Sequence, residues 1–587
     1  MTPRPRHAAF LTAGVIAAVA LAWRPGGADR EVSVYPNDRT LAASARTAIT
    51  LRGADPDELD RVAVVGSRSG EHAGRWQLHR DGRGAAFEPD RQFAPGERVT
   101  VDVGTDVAGA ASESSSFVVA AASDAEPPPY DQARPARDRR VQRFRSRPDL
   151  RPPRVAVTRS SRRAAPGSVF VAPKRGATQR GPMIIDGDGD LVWFEPLEGD
   201  EQAFDFRAQT YRGEPVLTWW QGRMAIYRGA GVGRILDASY RPVATVRAAN
   251  GYSMDAHEFL LTREGTALVM SYVIVPWDLS KLGGLRRGLV EDNVVQEIDV
   301  ETGAVLFEWH ALGTIGLGES YRPAPRVRGK VHDPFHLNSI EPDKDGNLLV
   351  SARHTNAVYK LDRRTGDVLW RLGGKQSSFA MGEGTTFRLQ HDARRDPDGK
   401  ITLFDNVSEE LPPRGRQSRG ITIALDEERM RATLVRELEH PDRLLSPTQG
   451  SMQALADGGA FVGWGGLQPV VSEFDAAGRT VFDARFEAEG VESYRAYRMP
   501  WRAAAPGRPA VAAASTGGRT RVSASWNGAT DVASWRVRAG GATAATAPRH
   551  GFETTVEISG RPSSVVVDAL DSSGEVLATS AAASVRP

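Results

Sequence analysis

Asp343-Lys344-Asp345-Gly346-Asn347-Leu348-Leu349-Val350 joins a turn rich in Asp and Gly to a short run of strand-forming residues. The Asx and Gly positions accept the backbone of a tight turn, and the apolar run that follows is too short for a helix. The phrase returns in looser form at 186–194, 263–270, 299–306, 362–370, 396–403, 457–462 and 475–482. No long amphipathic helix interrupts the series between 155 and 501. Hairpins repeated in this way predict a β-propeller, and at roughly 55 to 60 residues per four-stranded blade six blades fit.

Outward from the repeat the composition changes. At 29–122, alternating runs such as Val99-Thr100-Val101-Asp102-Val103 predict an Ig-like β-sandwich. At 504–587, Thr520-Arg521-Val522-Ser523-Ala524-Ser525-Trp526 and Ser563-Ser564-Val565-Val566-Val567 predict a fibronectin-type β-sandwich. Residues 123–154 hold Pro127-Pro128-Pro129 and nine arginines between Arg134 and Arg154, which reads as a solvated linker. The expected fold is all-β: a six-bladed β-propeller at 155–503 between two sandwiches.

The first 28 residues read as a signal peptide or N-terminal anchor. Arg4 and Arg6 precede an apolar run from Ala8, and Ala20-Leu21-Ala22 supplies a small-x-small end. Counted through Trp23 the run has 16 residues, short of the roughly 20 a spanning helix prefers. A secreted or cell-envelope location follows, with membrane contact only through an uncleaved anchor.

At 587 residues, 40% hydrophobic and 25% charged, the chain is globular and long enough for several domains. A net charge of +2 offers no bulk field for a nucleic-acid partner. No cysteine is present, which excludes disulfides, zinc–thiolate sites, iron–sulfur clusters and a cysteine nucleophile. A nucleophile must therefore be Ser, Thr, His, Tyr, Lys or a carboxylate. Asp186, Asp188 and Asp190 lack the Gly and Glu positions of a calcium loop, where Leu191 and Leu197 stand, and read as a hairpin turn. No metal and no cofactor is expected.

Seven of the 11 histidines fall in the repeat region, several in unusual company. Asp255-Ala256-His257-Glu258, His332-Asp333-Pro334-Phe335-His336-Leu337-Asn338-Ser339, Ser351-Ala352-Arg353-His354 and Leu389-Gln390-His391-Asp392 stand near predicted strand ends, where blades point side chains into a central channel. Several imidazoles with a guanidinium and an amide suit an oxyanion that is to be bound and attacked. Trp219, Trp220, Tyr252 and Trp464 are candidates for an apolar mouth, although core packing between blades is the favoured role for each.

These motifs, with Leu403-Phe404-Asp405-Asn406 after them, resemble the arylsulfotransferase family of bacterial secreted enzymes. The likeness runs from about Arg147 to Trp501. It implies a six-bladed propeller that moves a sulfuryl group from a phenolic sulfate ester to a phenol acceptor, without a nucleotide sulfate donor. It also implies roles: His391 as the nucleophile that becomes sulfated, and His336 and Asn338 as a pair on the sulfuryl oxygens, with His336 placed for proton transfer. Arg353 matches the sulfate-binding arginine and His257 a channel histidine. Two other readings stay open: a non-catalytic envelope propeller that binds glycan or protein partners, and a quinoprotein-like propeller suggested by Asp-x-x-Thr-Gly at Asp299 and Asp362.

Overall fold

The computed structural model describes residues 31–123, 129–130, 140–225, 228–408, 417–466 and 470–587. The expected signal or anchor at 1–28 and much of the expected linker lie outside them. The described chain is all-β, with only short 3-10 turns as helix.

Six sheets of four or five strands follow one another along the repeat region, in a propeller-like succession. In each, consecutive strands pair antiparallel with their sequence neighbours, as in Leu337–Pro342, Leu348–Ala352, Ala357–Leu361 and Val368–Gly373. The Asp–Gly phrases are the turns between these strands. The Asp475 carboxylate accepts the N–H groups of Ala477 and Arg479 at 3.0 Å each, and Gly478 takes the positive φ that closes the turn. Asp186 does the same with Asp188 and Asp190, so its oxygen serves the backbone.

The two ends of the series are interlocked. Val155–Arg159 pairs with Thr480–Phe486 and completes the last sheet, whereas Ala496–Met499 pairs with Ser168–Val171 and completes the first. Chain before the first sheet and chain after the last thus each finish the other's sheet. Apolar residues pack between neighbouring sheets, and Trp219, Trp220 and Trp464 are fully buried there. Tyr252 is spent on a hydrogen bond from the Ser44 N–H at 2.8 Å. None of the four forms an apolar mouth, because the interior between sheets takes the largest rings.

Residues 33–118 form two four-stranded sheets around one apolar core that includes Ile49, Leu51, Val101 and Phe117. Their Tyr35 and Asn37 hydrogen-bond the carbonyls of Arg364 and Thr365, at 3.0 and 2.8 Å, and Arg80 reaches Asp299 at 3.2 Å. The two Asp-x-x-Thr-Gly turns are thus the seats of the N-terminal sheets. At the other end, residues 510–586 form eight strands joined into one hydrogen-bonded network. Ala583–Arg586 causes this by pairing with both Ala510–Thr516 and Ser564–Leu570. Asn527 exchanges hydrogen bonds with the backbone of Phe194 at 3.0 Å each way, tying this sheet to the first sheet of the series.

Inside the series lies a buried ionic network. Arg495 meets Asp205 at 2.8 Å, Glu258 at 3.2 Å and Asp392 at 3.4 Å. Arg207 holds Asp205 and Glu258 at 2.9 and 2.6 Å, and Arg394 holds Glu258 and Asp392 at 2.7 and 2.8 Å. Burial alone raises a carboxyl's pKa; here Arg394, Arg495 and Arg207 overcome it and hold Glu258 far below its usual range. Removing one partner of such a network leaves a buried charge uncompensated. Arg495→Met should therefore destabilise the fold by about 3–5 kcal/mol, and adding Glu258→Gln should restore part of the loss. Calorimetric melting of the two variants checks this; no recovery in the double variant would contradict it.

Candidate functional site

A cavity of about 1230 Å³ opens over the network, and His257, His336, Arg353, His354 and His391 line it. Each of the three histidines singled out from the sequence is held by a partner on its Nδ1. His257 Nδ1 lies 2.5 Å from Asp255 Oδ1, and that carboxylate is itself held by the N–H groups of His257 and Gly229 at 3.0 and 2.7 Å. His336 Nδ1 lies 2.6 Å from Asp333 Oδ2. His391 Nδ1 lies 2.7 Å from Asn406 Oδ1.

The third anchor differs in kind. The Asn406 amide nitrogen donates to the carbonyls of Ser446 and Gln449 at 2.8 and 2.9 Å, which fixes which end of the amide is oxygen. An oxygen facing Nδ1 needs a proton there, so His391 is the Nδ1–H tautomer and its Nε2 carries the lone pair. The Gln449 N–H points at that Nε2 from 3.3 Å.

Local backbone aims these groups. His391 starts the strand His391–Arg395, and Leu389 and Asp392 on either side have φ of 55° and 56°. His336 has φ 54° and Gln449 φ 66°. Left-handed conformations cost non-glycine residues of order 1 kcal/mol or more, and the surrounding hydrogen bonds must hold them. The Gln390 side chain does so, with its amide nitrogen 3.0–3.1 Å from Ser351 Oγ and the carbonyls of Ala352 and Ala357.

Arg353 follows the strand Leu348–Ala352 in a single 3-10 turn. Its guanidinium donates to His354 Nε2 at 2.8 Å and to the Pro447 carbonyl at 3.1 Å. His354 in turn donates from Nδ1 to the Asp333 carbonyl at 2.8 Å and props the arginine over the cavity. Asp333, His336 and His354 offer three ligand atoms within 4.8 Å of one another. Hydrogen bonds account for that closeness, and the Arg353 cation at His354 disfavours a metal ion beside it.

Burial, and then Arg353, hold the His391 imidazole well below its usual pKa. Burial likewise pushes His336 down to about 3, against the pull of Asp333. Both rest neutral near pH 7. The Tyr494 ring packs on this group, with centroids 5.6 Å from His257 and 6.3 Å from His391.

Four of the five residues expected at the site, His257, His336, Arg353 and His391, share the cavity. Asn338 does not. It is fully buried, and its amide donates to the Gln390 carbonyl at 2.7 Å, holding the backbone just before His391. Sequence reasoning gave no role to Asp255, Asp333, Asn406 or Gln449. Asp255 and Asp333 stand two and three residues before their histidines, a signal that was legible; Asn406 and Gln449 reach His391 only through the fold.

Residues 207–487 match the family model described as Arylsulfotransferase (ASST). No curated protein matches the chain. Among solved structures, the chain is similar to a protein of unknown function from Bacteroides caccae, with 16% identity and TM-score 0.35, covering 57% of this chain and 98% of that one. It is also similar to virginiamycin B lyase from Staphylococcus aureus, with 9% identity and TM-score 0.29, over 64% and 96%. A protein from Lactobacillus plantarum gives 12% identity and TM-score 0.33, over 72% and 97%. Likeness at these scores says nothing of chemistry.

Burial beside Arg353 makes a prediction of its own. His391 should stay unprotonated as pH falls from 8 to 5.5, where an ordinary histidine of pKa about 6.5 would be mostly charged. Asn406→Asp, which puts a carboxylate behind the ring, should raise the pKa. Nitrogen-15 NMR of labelled histidine reads both, and an ordinary titration of His391 in the wild type would refute the lowering by burial and Arg353.

Proposed function

Since residues 207–487 match the arylsulfotransferase family model, we propose that the six sheets are the blades of a propeller and that the protein transfers a sulfuryl group from a phenolic sulfate ester to a phenol, through a sulfated His391 and without a nucleotide donor. The flanking sheets are read as Ig-like and fibronectin-type sandwiches, with the domain bounds given above, and the protein as secreted or held in the cell envelope. One observation carries the mechanism: of the three cavity histidines His257, His336 and His391, His391 alone is anchored by an amide.

A carboxylate behind an imidazole stabilises its protonated form, which suits an acid or base. An amide orients the ring without drawing its proton, which suits a nucleophile. In the first half-reaction the His391 Nε2 lone pair forms the N–S bond. The S–O bond breaks and its electron pair leaves on the phenolic oxygen. Arg353 lies over the cavity for the sulfuryl oxygens, and the Gln449 N–H, already aimed at Nε2, is in reach of the same group. In the second half the acceptor phenol gives its proton to His336 as its oxygen attacks sulfur, and the N–S pair returns to Nε2. The proton taken up there serves the next departing phenolate.

The Nδ1 proton stays on the ring throughout because Asn406 cannot accept it. The group expelled in the second half is therefore neutral imidazole rather than imidazolate, a far better leaving group. The intermediate is kept reactive.

Incubating the protein with nitrophenyl sulfate and a phenol tests the reading. His391→Asn should abolish phenol release, and mass spectrometry of wild type quenched with donor alone should find the adduct on the peptide holding His391. Undiminished turnover in that variant, or no adduct, would leave a binding propeller as the better account. His336→Asn should slow poor leaving groups by roughly 10²–10⁴-fold and nitrophenol far less, because an activated phenolate needs little protonation. Arg353→Lys keeps the charge but loses the planar fork, and should raise KM and lower kcat together.

A further inference from the structure

One wall of the cavity continues into a basic rim. The segment 322–331 lines the cavity through Pro323, Pro325, Lys330 and Val331. It packs against the hairpin that joins Thr266–Trp277 to Gly288–Asp299: Val331–His332 pairs parallel with Leu289 and Val290, and Arg326 Nε donates to the Gly283 carbonyl at 3.0 Å. Besides Arg322, which lines the cavity, the two segments carry Lys281, Arg286, Arg287, Arg326, Arg328 and Lys330, all exposed, and Lys330 also lines it. None of the six forms an ion pair among the described residues, and Asp278 is the only carboxylate between 278 and 288 or 320 and 331 besides those in sheet strands. In a chain of net charge +2, so uneven a patch is not a consequence of composition.

Two other cations at the cavity are spent on carboxylates. Lys174 holds Glu492 at 2.8 Å, and Arg228 holds Glu291. Between floor and rim the wall is apolar, with Ile274, Leu289 and Pro323. The cavity thus joins imidazoles and a guanidinium to an apolar wall and, at Lys330, to the cationic segment.

Resting on the reading above, we propose that the natural substrates are aryl sulfates or phenols whose far end carries further anionic groups, carboxylate, sulfate or phosphate, and that this rim holds them. The reacting sulfuryl or hydroxyl lies at His391, the ring against the apolar wall, and the anionic end among the six cations. Such a rim also concentrates anions at the mouth, an effect that falls steeply with salt because the Debye length is about 10 Å at 0.1 M.

The test compares two aryl sulfates with the same ring and leaving group, one ending in a carboxylate and the other in its methyl amide. At low ionic strength the wild type should favour the carboxylate in kcat/KM by about tenfold, mostly through KM, and the preference should vanish in 0.5 M salt. In Arg286→Gln/Arg287→Gln/Arg328→Gln the ratio of the two substrates should fall to near one. Equal kcat/KM for the pair in wild type, or a preference that survives both salt and the triple variant, overturns the rim's role while leaving sulfuryl transfer standing. Turnover of neither ester overturns sulfuryl transfer itself.

Discussion

Three arginines and three carboxylates buried beneath the cavity, Arg207, Arg394 and Arg495 with Asp205, Glu258 and Asp392, form the constraint on which the site depends. They come from separate sheets, so the network forms only when the sheets have assembled. Its members are chain neighbours of the reacting groups: Glu258 follows His257, and Asp392 follows His391. Arg495 also donates to the Asn338 carbonyl at 2.6 Å, two residues from His336. Charges paired at this depth tolerate little movement, because each ångström of separation costs more than it would in water. The network therefore fixes where three histidines start.

Above it, the chemistry is divided by the choice of anchor. Asp255 and Asp333 stand behind two rings, and Asn406 behind the third. All three present Nε2 to the cavity by the same device, a bond on Nδ1, yet only the carboxylates can stabilise a proton that arrives. Burial adds to the division by keeping His336 and His391 neutral. A neutral nucleophile beside a guanidinium suits an anionic ester, since the guanidinium screens the charge that would repel an approaching lone pair.

The flanking sheets touch the outer turns of the series rather than the cavity. Tyr35, Asn37 and Arg80 hold the turns that follow Asp299 and Asp362, and Asn527 holds Phe194. The series is thus held from outside at several places, Ser44 on Tyr252 among them.

How far the sequence alone reaches can be judged residue by residue. The Asp–Gly turns and the strands after them were legible because an Asx side chain closes its own turn within four residues, as Asp475 does with Arg479. His257, His336, Arg353 and His391 were legible as a group, since each stands in a short distinctive motif. What the sequence could not carry was direction. Asn338 and Asn406 are both buried asparagines beside a strand, and only tertiary contacts decide that the first grips the Gln390 backbone and the second sets the His391 tautomer. Gln449 lies 58 residues from His391 and meets it through a backbone N–H, a group every residue but proline owns. The rings of Trp219, Trp220 and Trp464 likewise had no address until the sheets packed. Local hydrogen bonding is written in neighbouring residues and can be read from them; the pairing of distant polar groups exists only once burial has removed water as the alternative partner.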